Sequence, residues 1–121
     1  MPISRCDSAG FRLLLGLALV VSTWLALTPR PIELPPDQLL DKAAHLLTFA
    51  LLSLLVDASW PQRGFDVVKW APLLAYGVAI ELLQSQIPNR SAETADLLAD
   101  ALGIILYGLV LLRALRASGF R

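Results

Sequence analysis

The chain is written in four long apolar stretches, and prolines, glycines or charges punctuate each of them. The first, FRLLLGLALVVSTWLAL from Phe11 to Leu27, has Arg5 and Arg12 at its start, the layout of a signal peptide or of a first membrane anchor. The TPRP that follows carries no small-x-small cleavage pattern, so this stretch is expected to stay in the chain as a helix over about 11–28. Pro29, Pro31, Pro35 and Pro36 then exclude helix, because each lacks an N–H and biases the residue before it toward extended backbone. A second helix is predicted over 41–58, closed by the turn residues Pro61 and Gly64. A third covers 70–86, with Pro72 placed in its first turn, and Pro88 and Asn89 break it. The fourth covers 95–113, with Thr94 as its expected cap.

Composition decides what those helices are for. Of 121 residues, 56% are hydrophobic and only 17% are charged, which leaves too little polar surface to wrap a water-soluble domain of this size. The surplus apolar surface must face lipid, and four helices with short connections predict one all-α domain, 1–121, folded as an integral membrane four-helix antiparallel bundle. Ten basic residues balance ten acidic ones, so no overall field favours nucleic acid, and the single Cys6 has no partner for a disulfide. The basic residues divide unevenly. Arg5, Arg12, Arg63, Lys69, Arg113, Arg116 and Arg121 share one side, whereas Arg30, Lys42 and Arg90 share the other, which predicts both termini in the cytoplasm. Trp24, Trp60 and Trp70 fall near predicted helix ends, where an interfacial aromatic belt accounts for them.

Within this apolar background the polar side chains cluster. Asp41, Lys42 and His45 open the second helix, Glu81 and Gln84 close the third, and Arg90, Asp96 and Asp100 surround the start of the fourth. In an antiparallel bundle all of these lie at the outer membrane level. Their spacing of three or four residues, extended by Gly77 on one helix and by Gly103 and Tyr107 on another, makes one stripe per helix. An ionised group facing hydrocarbon costs roughly 2.5–3.5 kcal/mol even on the lenient insertion scale, so the stripes are expected to turn inward toward one another. Glycines on those faces would let helices approach closely. Lys42 is expected either to snorkel or to pair with Asp96 or Asp100, and Tyr107 either to pack or to donate to the acidic stripe of its own helix.

The elements DKAAH at 41–45, ELLQ at 81–84, Arg90 and DLLADALG at 96–103 together resemble those of the VanZ-like family of small bacterial membrane proteins, over about residues 38–110. In that family they read D-K-x-x-H, E-x-x-Q, R and D-x-x-x-N/D-x-x-G. The resemblance implies a four-helix protein of the bacterial inner membrane and cell envelope, with Asp41, Lys42, His45, Glu81, Gln84, Arg90, Asp96 and Asp100 as the functional positions. Many relatives carry asparagine where this chain has Asp100, so this chain adds an ionisable group to the set.

Several activities lose their footing for want of a motif. No G-x-S-x-G elbow, phosphate-binding loop or dinucleotide fingerprint is present. One histidine with Asp41, Glu81, Asp96 and Asp100 is ligand enough for a divalent ion, but without a tight motif such as H-E-x-x-H neither metal nor cofactor is assigned. The leading expectation is a polar pocket near the extracytoplasmic face that binds or processes a lipid-linked or cell-envelope head group, with Arg90 and Lys42 contacting an anionic group. One alternative is a lipid-modifying enzyme using His45 with Glu81 or Asp96 as an acid/base pair. The other is a structural membrane protein that scaffolds an envelope complex. The partners expected are membrane lipids, and beyond them a lipid-linked envelope precursor or an envelope protein complex.

Overall fold

A computed structural model of the chain describes residues 5–28, 38–87 and 94–121, and all of its regular structure is helical. The elements are α1 (Arg5–Leu27), α2 (Gln38–Ser59), α3 (Val67–Gln84), α4 (Thr94–Leu106), a π-helical turn (Tyr107–Leu111) and α5 (Leu112–Ala117). The last three run on as one rod, so among the described residues four helices are long and apolar enough to cross a membrane, Asp7–Leu27, Leu39–Ser59, Val67–Gln84 and Thr94–Ala117. At 1.5 Å per residue they measure about 27–36 Å, against a hydrocarbon core of about 30 Å. Leu13, Val20, Leu47, Leu82, Leu98 and Leu109 all stand exposed on the outside. A coat of this kind is unfavourable in water and suited to acyl chains.

The helix boundaries depart from the sequence reading at nearly every end. α1 starts at Arg5 rather than Phe11, because the polar turn before the apolar run is also helical and places Asp7 in the first turn, where the helix dipole favours an acid. α3 starts at Val67 rather than Trp70, since Asp66 caps it by accepting the Val68 N–H at 3.2 Å. Pro72 therefore sits in the second turn, where it removes one i→i−4 bond. The same helix ends at Gln84, two residues early, where the Ser85 N–H closes on the Glu81 carbonyl at 3.1 Å. α4 begins on Thr94 itself, so Thr94 is a helical residue and the cap position falls outside the described residues. The expected proline-rich loop and the break at Pro88 and Asn89 also lie outside them.

α2 and α4 form the main packing pair. A Cβ at Gly103 would overlap the Leu46 carbonyl and come within 3.0 Å of the Ala50 nitrogen, so only glycine allows these two backbones to lie so close. The buried core collects Leu15, Phe49, Leu52, Leu55, Leu73 and Ile104 from all four spans. α1 is the outermost helix and buries little of itself. Hydrogen bonds secure it at intervals: Arg12 Nε donates to the Ser59 carbonyl at 3.0 Å, Thr23 shares 2.7 Å with the Tyr76 hydroxyl, and Gln84 Nε2 donates to the Ala26 carbonyl at 2.9 Å.

Candidate functional site

The first half of α2 meets the second half of α3 and the start of α4, and there the polar stripes converge. On α4 the buried positions Asp96, Ala99, Asp100, Gly103 and Ile104 make the inward stripe, continued by Tyr107. Lys42 forms an ion pair with Asp96, and its Nζ also lies 3.8 Å from Asp41. One turn further in, His45 Nδ1 stands 2.7 Å from Asp100 Oδ1, while His45 Nε2 lies 3.8 Å from Asp96 Oδ2. Asp100 is fully buried, and its second oxygen, Oδ2, has no hydrogen-bond partner. That oxygen faces α3 at Gly77, where an added Cβ would stand 2.8 Å away. Glu81 follows Gly77 by one turn of α3, and it too is buried.

The ligand atoms of His45, Glu81 and Asp100 lie within 4.8 Å of one another, as do those of Asp41, His45 and Asp96. Three helices thus bring Asp41, Lys42, His45, Glu81, Asp96 and Asp100 into one cluster. Gln84 turns partly away, because its amide nitrogen is committed to α1, although its side chain lines a cavity of about 260 Å³ beside Asp41, His45 and Thr48. Leu25, Ala26 and Ile80 add apolar surface to its lining. Gln84 Oε1 is buried there without a hydrogen-bond partner. Arg90 lies outside the described residues.

A second cluster, which the sequence reading did not identify, occupies the other end of α2. Asp57 lies twelve residues beyond His45, about 18 Å along the helix, and is completely buried. Lys69 Nζ donates to its Oδ1 at 2.7 Å, Tyr107 donates its hydroxyl to Oδ2 at 2.5 Å, and Arg121 reaches both oxygens at 3.0 Å. The remaining donors of Lys69 and Arg121 go to the backbone carbonyls of Trp60, Pro61 and Arg63. Tyr107 therefore donates to α2, and not to the acidic stripe of its own helix as one sequence alternative had it. Lys69, which reads as a loop charge, is buried in the first turn of α3. The available signal was Asp57 itself, a lone acid inside the apolar run LLSLLVDASW with a lysine just across a short turn.

The two clusters differ chemically. Around Asp57 both carboxylate oxygens are matched by donors, so the group binds the α2–α3 turn to the C-terminal segment and offers nothing to a ligand. Around His45 an imidazole, a carboxylate with one unmatched oxygen and a partly polar cavity remain for chemistry. A larger void of about 690 Å³ between α1, α2 and α3, lined by Leu15, Leu19, Val56, Pro72 and Leu73 among others, suits hydrocarbon and brings no reactive group to the His45 cluster. In comparisons with protein-family models, curated proteins and solved structures, none matches the chain.

Proposed function

We propose that this chain is a multi-pass protein of the bacterial inner membrane, similar to VanZ-like proteins, and that the His45 cluster binds or processes the head group of a lipid-linked or cell-envelope molecule. The helices would run antiparallel with both termini in the cytoplasm, which puts the cluster near the extracytoplasmic face. The observation that carries this reading is the cavity of about 260 Å³, whose lining combines the polar Asp41, His45 and Gln84 with the apolar Leu25, Ala26 and Ile80. An amphiphile whose head is polar and whose tail begins at once needs a lining of that kind. Since Lys42 is held by Asp96, the anionic part of such a head group would fall chiefly to Arg90.

Native mass spectrometry of the purified protein tests the reading. Wild type should retain a restricted set of lipids or lipid-linked species, and Arg90→Ala and His45→Ala should lose them. An identical lipid complement in all three proteins would overturn it.

The His45–Asp100 contact favours a second reading, an acid/base enzyme acting on the same molecule. A carboxylate bonded to one ring nitrogen holds the imidazole in a fixed orientation and leaves the other nitrogen to exchange a proton. Turnover of an envelope lipid that disappears in His45→Ala while the lipid still binds would select this reading over simple binding.

A further inference from the structure

We propose that His45, Glu81 and Asp100 hold one divalent transition-metal ion, of the Mn²⁺ or Zn²⁺ kind, in the middle of the α2–α3–α4 junction. The inference goes beyond head-group binding and does not rest on it. Its first support is geometric. Ligand atoms bonded to such an ion at about 2.0–2.2 Å stand about 3–4 Å from one another, and the three atoms here already lie within 4.8 Å. Small side-chain rotations close the remaining gap.

An independent observation points to the same place. Asp100 Oδ2 is buried without a hydrogen-bond partner, and an unmatched buried acceptor costs about 1–3 kcal/mol. It lies against Gly77, where an added Cβ would stand only 2.8 Å away, one helical turn from Glu81. A cation coordinated at that oxygen relieves the cost.

The chemistry of the donors agrees. One imidazole nitrogen with two carboxylate oxygens is a borderline-to-hard set that suits Zn²⁺ or Mn²⁺, and three protein ligands leave positions open for water or a ligand atom. The formal charge also closes, because two carboxylates and one divalent ion sum to zero with a neutral imidazole. That is the cheapest state for a site surrounded by apolar helices. Binding through Nδ1 would replace the present His45–Asp100 hydrogen bond and leave Nε2 to donate to Asp96, now 3.8 Å away. Lys42 holds that carboxylate in turn, so the ring would be oriented from behind, as metal-bound histidines ordinarily are.

The test uses the full chain in detergent or nanodiscs, stripped with chelator and titrated separately with Mn²⁺, Zn²⁺ and Mg²⁺. Metal analysis after gel filtration should find about one Mn²⁺ or Zn²⁺ per chain. His45→Ala and the near-isosteric Asp100→Asn should each weaken binding by at least about tenfold. Gly77→Ala, whose Cβ would crowd Asp100 Oδ2 without removing a ligand, should weaken it as well. Asp66→Asn, a carboxylate change at the other end of the molecule, should leave it unaltered. Pulsed electron paramagnetic resonance of the Mn²⁺ form should show coupling to an imidazole nitrogen that His45→Ala abolishes. Retention of less than a tenth of an ion per chain by folded wild type would overturn the proposal, and so would affinity unchanged in His45→Ala or Asp100→Asn. Lipid retention measured on the same samples reports separately on the head-group reading, so either can fail while the other stands.

Discussion

Replacing Asp57 by asparagine removes the carboxylate that Lys69, Tyr107 and Arg121 share, while keeping the volume of the side chain. The Lys69 side chain is 3% exposed and cannot turn to water, whereas that of Arg121 is 13% exposed and more easily solvated. Lys69 would keep its carbonyl partners at Trp60 and Arg63 but lose its counter-charge. Removing one member of a buried pair costs about 3–5 kcal/mol, and most of that here falls on Lys69. Lys69→Met should cost less, about 1–3 kcal/mol, because Asp57 keeps Tyr107 and Arg121. In Asp57→Asn with Lys69→Met no buried ammonium remains, so the double variant should be more stable than the sum of the two losses by about 1–3 kcal/mol. Reversible unfolding in mixed micelles, followed by tryptophan fluorescence and circular dichroism, measures all four corners of this cycle. Losses that add to within about 0.5 kcal/mol would refute the view that one interdependent network closes this end of the molecule.

Two further substitutions address other parts of the fold. Gly103→Ala should destabilise by about 1–3 kcal/mol through separation of α2 and α4, whereas Gly16→Ala, with open space around its Cβ, should be neutral or stabilise by up to about 1 kcal/mol; the same unfolding assay compares them. Lys42→Met should cost about 1–3 kcal/mol by leaving the buried Asp96 without its ammonium, and adding Asp96→Asn should recover much of that stability in thermal melts.

The spans were legible because long stretches of high mean hydropathy with few charges have few uses outside a membrane, and the polar stripes because charges in such helices must turn toward one another. Asp41, His45, Glu81, Asp96 and Asp100 could be assigned to one level from spacing and chain reversal alone. The glycine faces followed from the same periodicity, and the structure bears out Gly77 and Gly103. Lys69 was illegible for the opposite reason. Its charge marks a loop until Asp57 is known to face it across the turn and Arg121 is known to return from sixty-four residues away. Tyr107 was harder still. It opens the π-helical turn, where the 3.6-residue period that places the stripe of α4 no longer holds, and its hydroxyl meets α2 near Asp57.

The contrast between the ends of α2 carries the functional argument further than any single residue does. Both ends bury a carboxylate among basic or polar neighbours, so burial alone does not distinguish them. At Asp57 donors reach both oxygens, from three other parts of the chain. At Asp100 one oxygen bonds His45 and the other lies against Gly77 without a hydrogen-bond partner. Leaving that oxygen unmatched costs about 1–3 kcal/mol. A ligand or an ion bound at the His45 end, as proposed above, would offset that cost.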